Sequence, residues 1–255
     1  MTSAPAPPAA LIERVARRAA GLSPLPRGLP FLALDHPSGT ALHLLEGLAR
    51  QGIFRKYEHV LDLDAGLGAT SRWIAERLGC TAIATDESID MVRAGHRLTR
   101  QAGLDGQVAH VAAPPGHLPF RDAAFTHVWI VEKPAGAVAP QALLAEAHRV
   151  VRPGGHLAAQ QIVPAQDEAG EHATADRWRV ALAEAGFVDV ALRDVSDEAL
   201  ETAPRLLAAR GMLATAAERS GQHEIVRDWL AVRARVGAAL ERRAARLVQL
   251  TARRP

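Results

Sequence analysis

Apolar residues along this 255-residue chain fall into two alternating rhythms. Near-continuous aliphatic runs beginning at His59 and spanning Cys80 to Thr85, Gln107 to Ala112, Phe125 to Val131 and His156 to Val163 predict strands covered on both faces. Between them, apolar positions recur at helical spacing: Trp73, Ile74 and Leu78, then Ile89, Met91, Val92 and Leu98, then the stretch from Pro140 to Val151. Residues 174–185 predict a further helix, Phe187 to Arg193 a sixth strand and Leu247 to Thr251 a terminal strand. Strands alternating with helices imply one α/β unit built on a doubly wound, mostly parallel sheet.

Prolines and glycines mark the borders. Pro5, Pro7 and Pro8 predict a mobile tail over residues 1–8, leaving 9–255 as a single domain. Leu11, Val15, Ala19 and Leu22 share one helical face, and a second helix runs through Leu44, Leu45 and Leu48 to a stop at Gly52. Residues 9–52 therefore read as an N-terminal helical lid. Residues 197–245 read as a helical insertion before the last strand, a cap or a contact for a homo-oligomer, whose arginines (Arg233, Arg235, Arg242 and Arg243), with Arg246 directly after it, form a solvated face.

The chemistry centres on the stretch from His59 to Ala75, which reads as strand, glycine loop, helix. Gly66 and Gly68 let a ligand approach the backbone at the positive end of the helix. Asp86, twenty positions after Gly66 and at the end of the next strand, is placed to accept both hydroxyls of a ribose. Two cofactor classes use such an arrangement. The dinucleotide fingerprint wants a third glycine where this chain has Ser71, which disfavours a nicotinamide-dependent oxidoreductase.

Further along, Leu118-Pro119-Phe120-Arg121-Asp122 leads into the fourth strand, and Arg149-Val150-Val151-Arg152-Pro153-Gly154-Gly155 leads into the fifth. With the glycine loop, these motifs resemble the small-molecule branch of the class I S-adenosylmethionine-dependent methyltransferases over residues 36–193. The resemblance implies a Rossmann-like, seven-stranded fold and S-adenosylmethionine as cofactor. It assigns Asp62 to the loop and the methionine end of the cofactor, Gly66 and Gly68 to the cofactor's face, and Asp86 to the ribose. Glu87 falls at the adenine edge, where a helix N-terminus alone also accounts for it.

Two positions depart from the family pattern. Asp64 stands where glycine is usual, and its carboxylate either pairs with the cofactor's ammonium or opposes its carboxylate. Pro114 stands where an acid commonly accepts from the adenine amino group. Methyl transfer to an O, N or C atom of a small molecule is the leading expectation, with Glu132 after the fourth strand and His36 on the covering turn as candidate bases. The alternative is a fold relative that has lost methyl transfer and serves as a binding partner or another catalyst.

Composition narrows the partners. Thirty basic against 28 acidic residues leave a net charge of +2, without the one-sided excess of a nucleic-acid binder. The single cysteine, Cys80, lies in an apolar run and reads as a buried hydrophobe. No ligand spacing for a metal and no apolar stretch long enough to span a membrane stand out. The expected setting is cytoplasmic, with a small-molecule acceptor.

Overall fold

The computed structural model describes residues 42–114, 116–131, 141–167, 170–171, 173–201, 231 and 235–255. In chain order its elements are α1 (Leu42–Gln51), β1 (His59–Leu63), α2 (Ala69–Leu78), β2 (Thr81–Asp86), α3 (Ile89–Gln101), β3 (Val108–Ala112) and β4 (Phe125–Val131). They continue with α4 (Gln141–Val150), β5 (Val151–Pro164), β6 (Gln166–Asp167), β7 (Gly170–Glu171), α5 (Ala173–Glu184), β8 (Val188–Asp194) and β9 (Ala245–Arg253). Residues 196–201 and 235–241 are also helical. The first helix, the proposed tail and the middle of the insertion lie outside the described residues.

Seven strands form one sheet in the order β3-β2-β1-β4-β5-β9-β8. The first five are parallel, whereas β9 runs antiparallel to both β5 and β8. The expected doubly wound sheet is thus present, and its strand order reverses between β1 and β4. Beyond the carboxyl ends of strands at such a reversal, a crevice opens for a ligand.

The two faces of the sheet carry different cores. Val60, Ala82, Val108, Trp129 and Ala158 meet α1, α2 and α3 through Leu45, Leu48, Trp73, Ile74 and Leu98. Leu61, Val128, Ile130, Leu157, Val248 and Leu250 meet α4 and α5 through Leu143, Leu144, Trp178 and Leu182. The period-two alternation of each strand divides its side chains between these layers.

Three local details differ from the sequence reading. The fifth strand begins at Val151, directly after α4, because Phe125 pairs with Val151 and His127 with His156, so residues 152–155 are taken up as an irregularity within the strand. The terminal strand is longer than Leu247 to Thr251, since its pairing with β5 extends from Ala245 to Arg253. At the end of α1 the left-handed conformation belongs to Ile53 (φ 60°), not Gly52. A Cβ on Gly52 would stand 2.8 Å from the Phe54 ring and 3.0 Å from Ala158, so the glycine serves close packing.

Candidate functional site

The site is built where β1 and β2 end side by side. Asp62, 1% exposed on β1, accepts the Thr70 hydroxyl at 2.6 Å and the Ser71 hydroxyl at 2.7 Å. This carboxylate therefore ties the strand to the first turn of α2. It also explains Ser71: the hydroxyl at the third-glycine position is used inside the loop.

Asp86 closes the other side. Its Oδ2 accepts the Gly66 N–H at 3.0 Å and its Oδ1 accepts the Ser88 N–H at 2.8 Å, so both oxygens are fixed at the mouth of the loop. Burial pushes its carboxyl above the usual carboxylate range; the two N–H groups pull it back, and the charges of Asp64 and Glu87 raise it further. Glu87 is exposed at the start of α3, where Ser88 caps the helix by accepting the Met91 N–H. Ile89 beside it is 52% exposed.

The two loop glycines do different work. Both have positive φ, 55° at Gly66 and 72° at Gly68. A Cβ on Gly66 would meet no atom within 4 Å, so open space lies over it. At Gly68 the Cβ would stand 2.5 Å from Cε1 of His110 and 3.3 Å from the Ala84 Cβ. Gly68 thus faces the interior and makes room for a histidine that the sequence reading did not single out. Asp64 also adopts a left-handed conformation, at φ 57°, which accounts for the family's glycine there and for an aspartate as a tolerable replacement.

Beneath the loop, Arg72 is fully buried and donates through one Nη to the Leu67 carbonyl at 2.5 Å. The same nitrogen lies 3.4 Å from the Thr99 hydroxyl, and that hydroxyl lies 2.8 Å from His110 Nε2. Burial, with the Arg72 and His96 charges, holds His110 down to about 3, so the ring is neutral at pH 7. The strand alternation Val108, His110 was the available signal for this inward-facing residue.

The two downstream motifs also meet. Arg149 donates to both Glu146 oxygens, to the Phe120 and Leu118 carbonyls and to Asp122, while Glu146 accepts the Leu118 N–H at 2.7 Å. This clamp holds the segment after Pro114. Ala113 joins Asp86 through its N–H, and the Pro114 carbonyl accepts the His117 N–H. Glu132 and His36, the candidate bases, lie outside the described residues. Cys80 is fully buried, and burial pushes its thiol up to about 11, as suits a packing residue.

Together these groups suit S-adenosylmethionine. Asp86 is pre-oriented to accept a diol, the space over Gly66 is open, and three acids near the mouth (Asp64, Asp86 and Glu87) favour a cation and disfavour a pyrophosphate. Among the described residues no group of three or more His, Cys, Asp or Glu is placed to hold a metal ion, and no helix is long and apolar enough to cross a membrane.

Comparison with known proteins agrees with this chemistry. Residues 60–155 match a family described as a methyltransferase domain. The chain is 27% identical to the methyltransferase GfsG of Streptomyces halstedii over 187 residues, 67% of each protein. It is 39% identical to the demethylmenaquinone methyltransferase of Clavibacter sepedonicus over 100 residues, 39% of each. Its fold resembles the crystal structure of the [4+2]-cyclase SpnF, with a TM-score of 0.64, 23% identity and coverage of 84% of this chain and 80% of that one. With the glycine loop and Asp86 inside the matched span, residues 60–155 are similar to a methyltransferase domain, and the chain shares the Rossmann-like fold of the class I S-adenosylmethionine-dependent methyltransferases.

Proposed function

We propose that this protein transfers a methyl group from S-adenosylmethionine to an oxygen, nitrogen or carbon atom of a small molecule, in the cytoplasm. The observation that carries the reading is Asp86, buried, held by two backbone N–H groups and facing the open loop at Gly66. When bound, the cofactor supplies a methyl group already activated by its sulfonium. The protein's part is to bind, orient and deprotonate. Asp86 accepts the ribose hydroxyls, Asp62 keeps the first turn of α2 in register with β1, and exposed Ile89 offers an apolar edge to the adenine. Glu132, one residue beyond β4, and His36 are the proposed bases for an acceptor that must lose a proton.

Titration calorimetry with S-adenosylmethionine and S-adenosylhomocysteine tests the site. Micromolar binding by the unaltered chain, weakened at least about tenfold by Asp86→Ala, is the expected result. No binding up to millimolar concentration would overturn it.

Asp64 favours a second reading, in which the fold is kept for another purpose. Its charge lies within electrostatic reach of Asp86 and adds to the cost of ionising that acid. Asp64→Gly separates the two: sharply tighter cofactor binding marks an opposing residue and supports the second reading, whereas weaker binding gives Asp64 a positive role toward the cofactor.

A further inference from the structure

At the amino ends of β1, β4 and β5, opposite the glycine loop, Ile53, Arg55, Glu58, His127, Arg152 and His156 line a hollow of about 150 Å³ that opens to solvent. That volume is below the range of drug-sized ligand pockets and suits only a small ion or molecule. Its inner wall is rigid. His127, 3% exposed, has Nε2 3.1 Å from the Gly52 carbonyl and Nδ1 2.9 Å from the Thr126 hydroxyl, and its ring stacks on His156 with centroids 5.6 Å apart.

The charges on this wall are not balanced. Two arginines, Arg55 and Arg152, are among its lining residues against one acid, Glu58. Arg152 is 55% exposed and touches Glu58 only at 3.9 Å, a loose ion pair in water. Among the described residues, the Arg55 guanidinium has no ion-pair or hydrogen-bond partner. Burial and Arg152 both hold His127 and His156 below the ordinary imidazole range, so neither ring competes as a cation at neutral pH.

The rim adds an apolar element. Ile53 sits at φ 60°, a conformation that β-branched residues rarely adopt, and it holds its side chain 40% exposed at the mouth. A strained backbone that presents an apolar group beside one loosely paired guanidinium and one with no partner among the described residues is the arrangement of a ligand site more than of a loop selected for stability.

We infer that the foot of the sheet is a second ligand site, for a small oxyanion that carries an apolar group. The oxyanion bridges Arg55 and Arg152, replacing the long contact to Glu58, and the apolar group lies on Ile53. Guanidiniums suit carboxylate and phosphate alike, because both present paired oxygens to the planar fork.

Calorimetric titration of the full chain with benzoate and with inorganic phosphate tests this site. Saturable benzoate binding, with Kd on the order of millimolar or below and tighter than phosphate, is expected. Glu58→Gln removes the competing acid and tightens both anions roughly threefold or more. The double variant Arg55→Ser/Arg152→Ser, at two exposed positions, keeps the fold and weakens benzoate at least about tenfold. Saturating S-adenosylhomocysteine leaves benzoate affinity unchanged, which separates this site from the cofactor's. The assignment fails if neither anion saturates the unaltered chain or Glu58→Gln, if binding survives the double variant, or if S-adenosylhomocysteine displaces the anion. Phosphate binding tighter than benzoate overturns the apolar part.

Discussion

One sheet presents two faces of opposite character. The face toward α4 and α5 is almost wholly aliphatic, with Leu61, Leu63, Ile130, Leu157, Val163 and Leu250 around Trp178. The face toward α1, α2 and α3 buries Asp62, Thr70, Ser71, Arg72, Asp86, Thr99 and His127 among its apolar residues. Each of these polar groups costs free energy to desolvate and offsets it through hydrogen bonds to hydroxyls or backbone, though Arg72 does so only in part, since its Nε and second Nη are buried without a hydrogen bond. The first face therefore supplies stability, and the second spends part of it on holding chemistry in place.

The largest expected effect comes from cutting into the aliphatic face. Trp178 is 1% exposed in the centre of that core, and Trp178→Ala should cost about 3–5 kcal/mol through lost burial and the cavity left behind. Urea unfolding measures the loss, while cofactor affinity per folded molecule should change no more than about twofold. A parallel collapse of affinity would show that the two faces are not separable.

Acid should act on the other face. His127 is held down to about 4, first by burial, against an ordinary value near 6.5. The unfolded chain takes up a proton that the folded ring refuses, so stability is complete above pH 6.5 and falls as pH drops toward 4. The contribution of His127 is about 3 kcal/mol at the lower limit, and His110, held down to about 3, acts in the same direction. Asp86 works the other way, because a carboxyl raised in the folded state binds its proton more tightly there and gains stability on acidification. Urea midpoints between pH 7.5 and 4.5 read the balance. His127→Gln, which retains a donor for the Gly52 carbonyl, should flatten the slope; an unchanged slope would remove His127 as the cause.

The difference between the faces also sets what was legible in the sequence. Alternation gave the sheet and the aliphatic face, and Phe125–Val131 has the bounds that its apolar run implies. Asp62, Asp86 and Gly66 stand out as candidates in the sequence because they lie at adjacent ends of β1 and β2 within one motif, where the structure brings them together. The resemblance assigns Gly68 to the cofactor's face, and the fold adds that its side-chain direction is filled by His110. Arg149 was legible as part of a motif, but its grip on Leu118 and Phe120 joins segments about 30 residues apart. Gly52 read as a helix stop because local spacing cannot register the Phe54 ring and the β5 Ala158 against it. Such contacts depend on which strands become neighbours, information that no short window of residues contains.

The smallest effect expected on stability falls at the site itself. Asp64→Gly relieves an aspartate held at φ 57°, a gain of less than about 1 kcal/mol because aspartate tolerates that region. It also gives the unfolded chain more freedom, a loss of about 0.4–1 kcal/mol. The two oppose each other, and the urea midpoint should correspond to a change within about 0.5 kcal/mol. Asp86 should respond nonetheless. Removing the Asp64 charge takes away one of the causes that raise its carboxyl, so carbon-detected titration should find Asp86 ionising at lower pH than in the unaltered chain. A large loss of stability, or an Asp86 titration that does not move, would show that Asp64 belongs to the scaffold rather than to the electrostatics of the site.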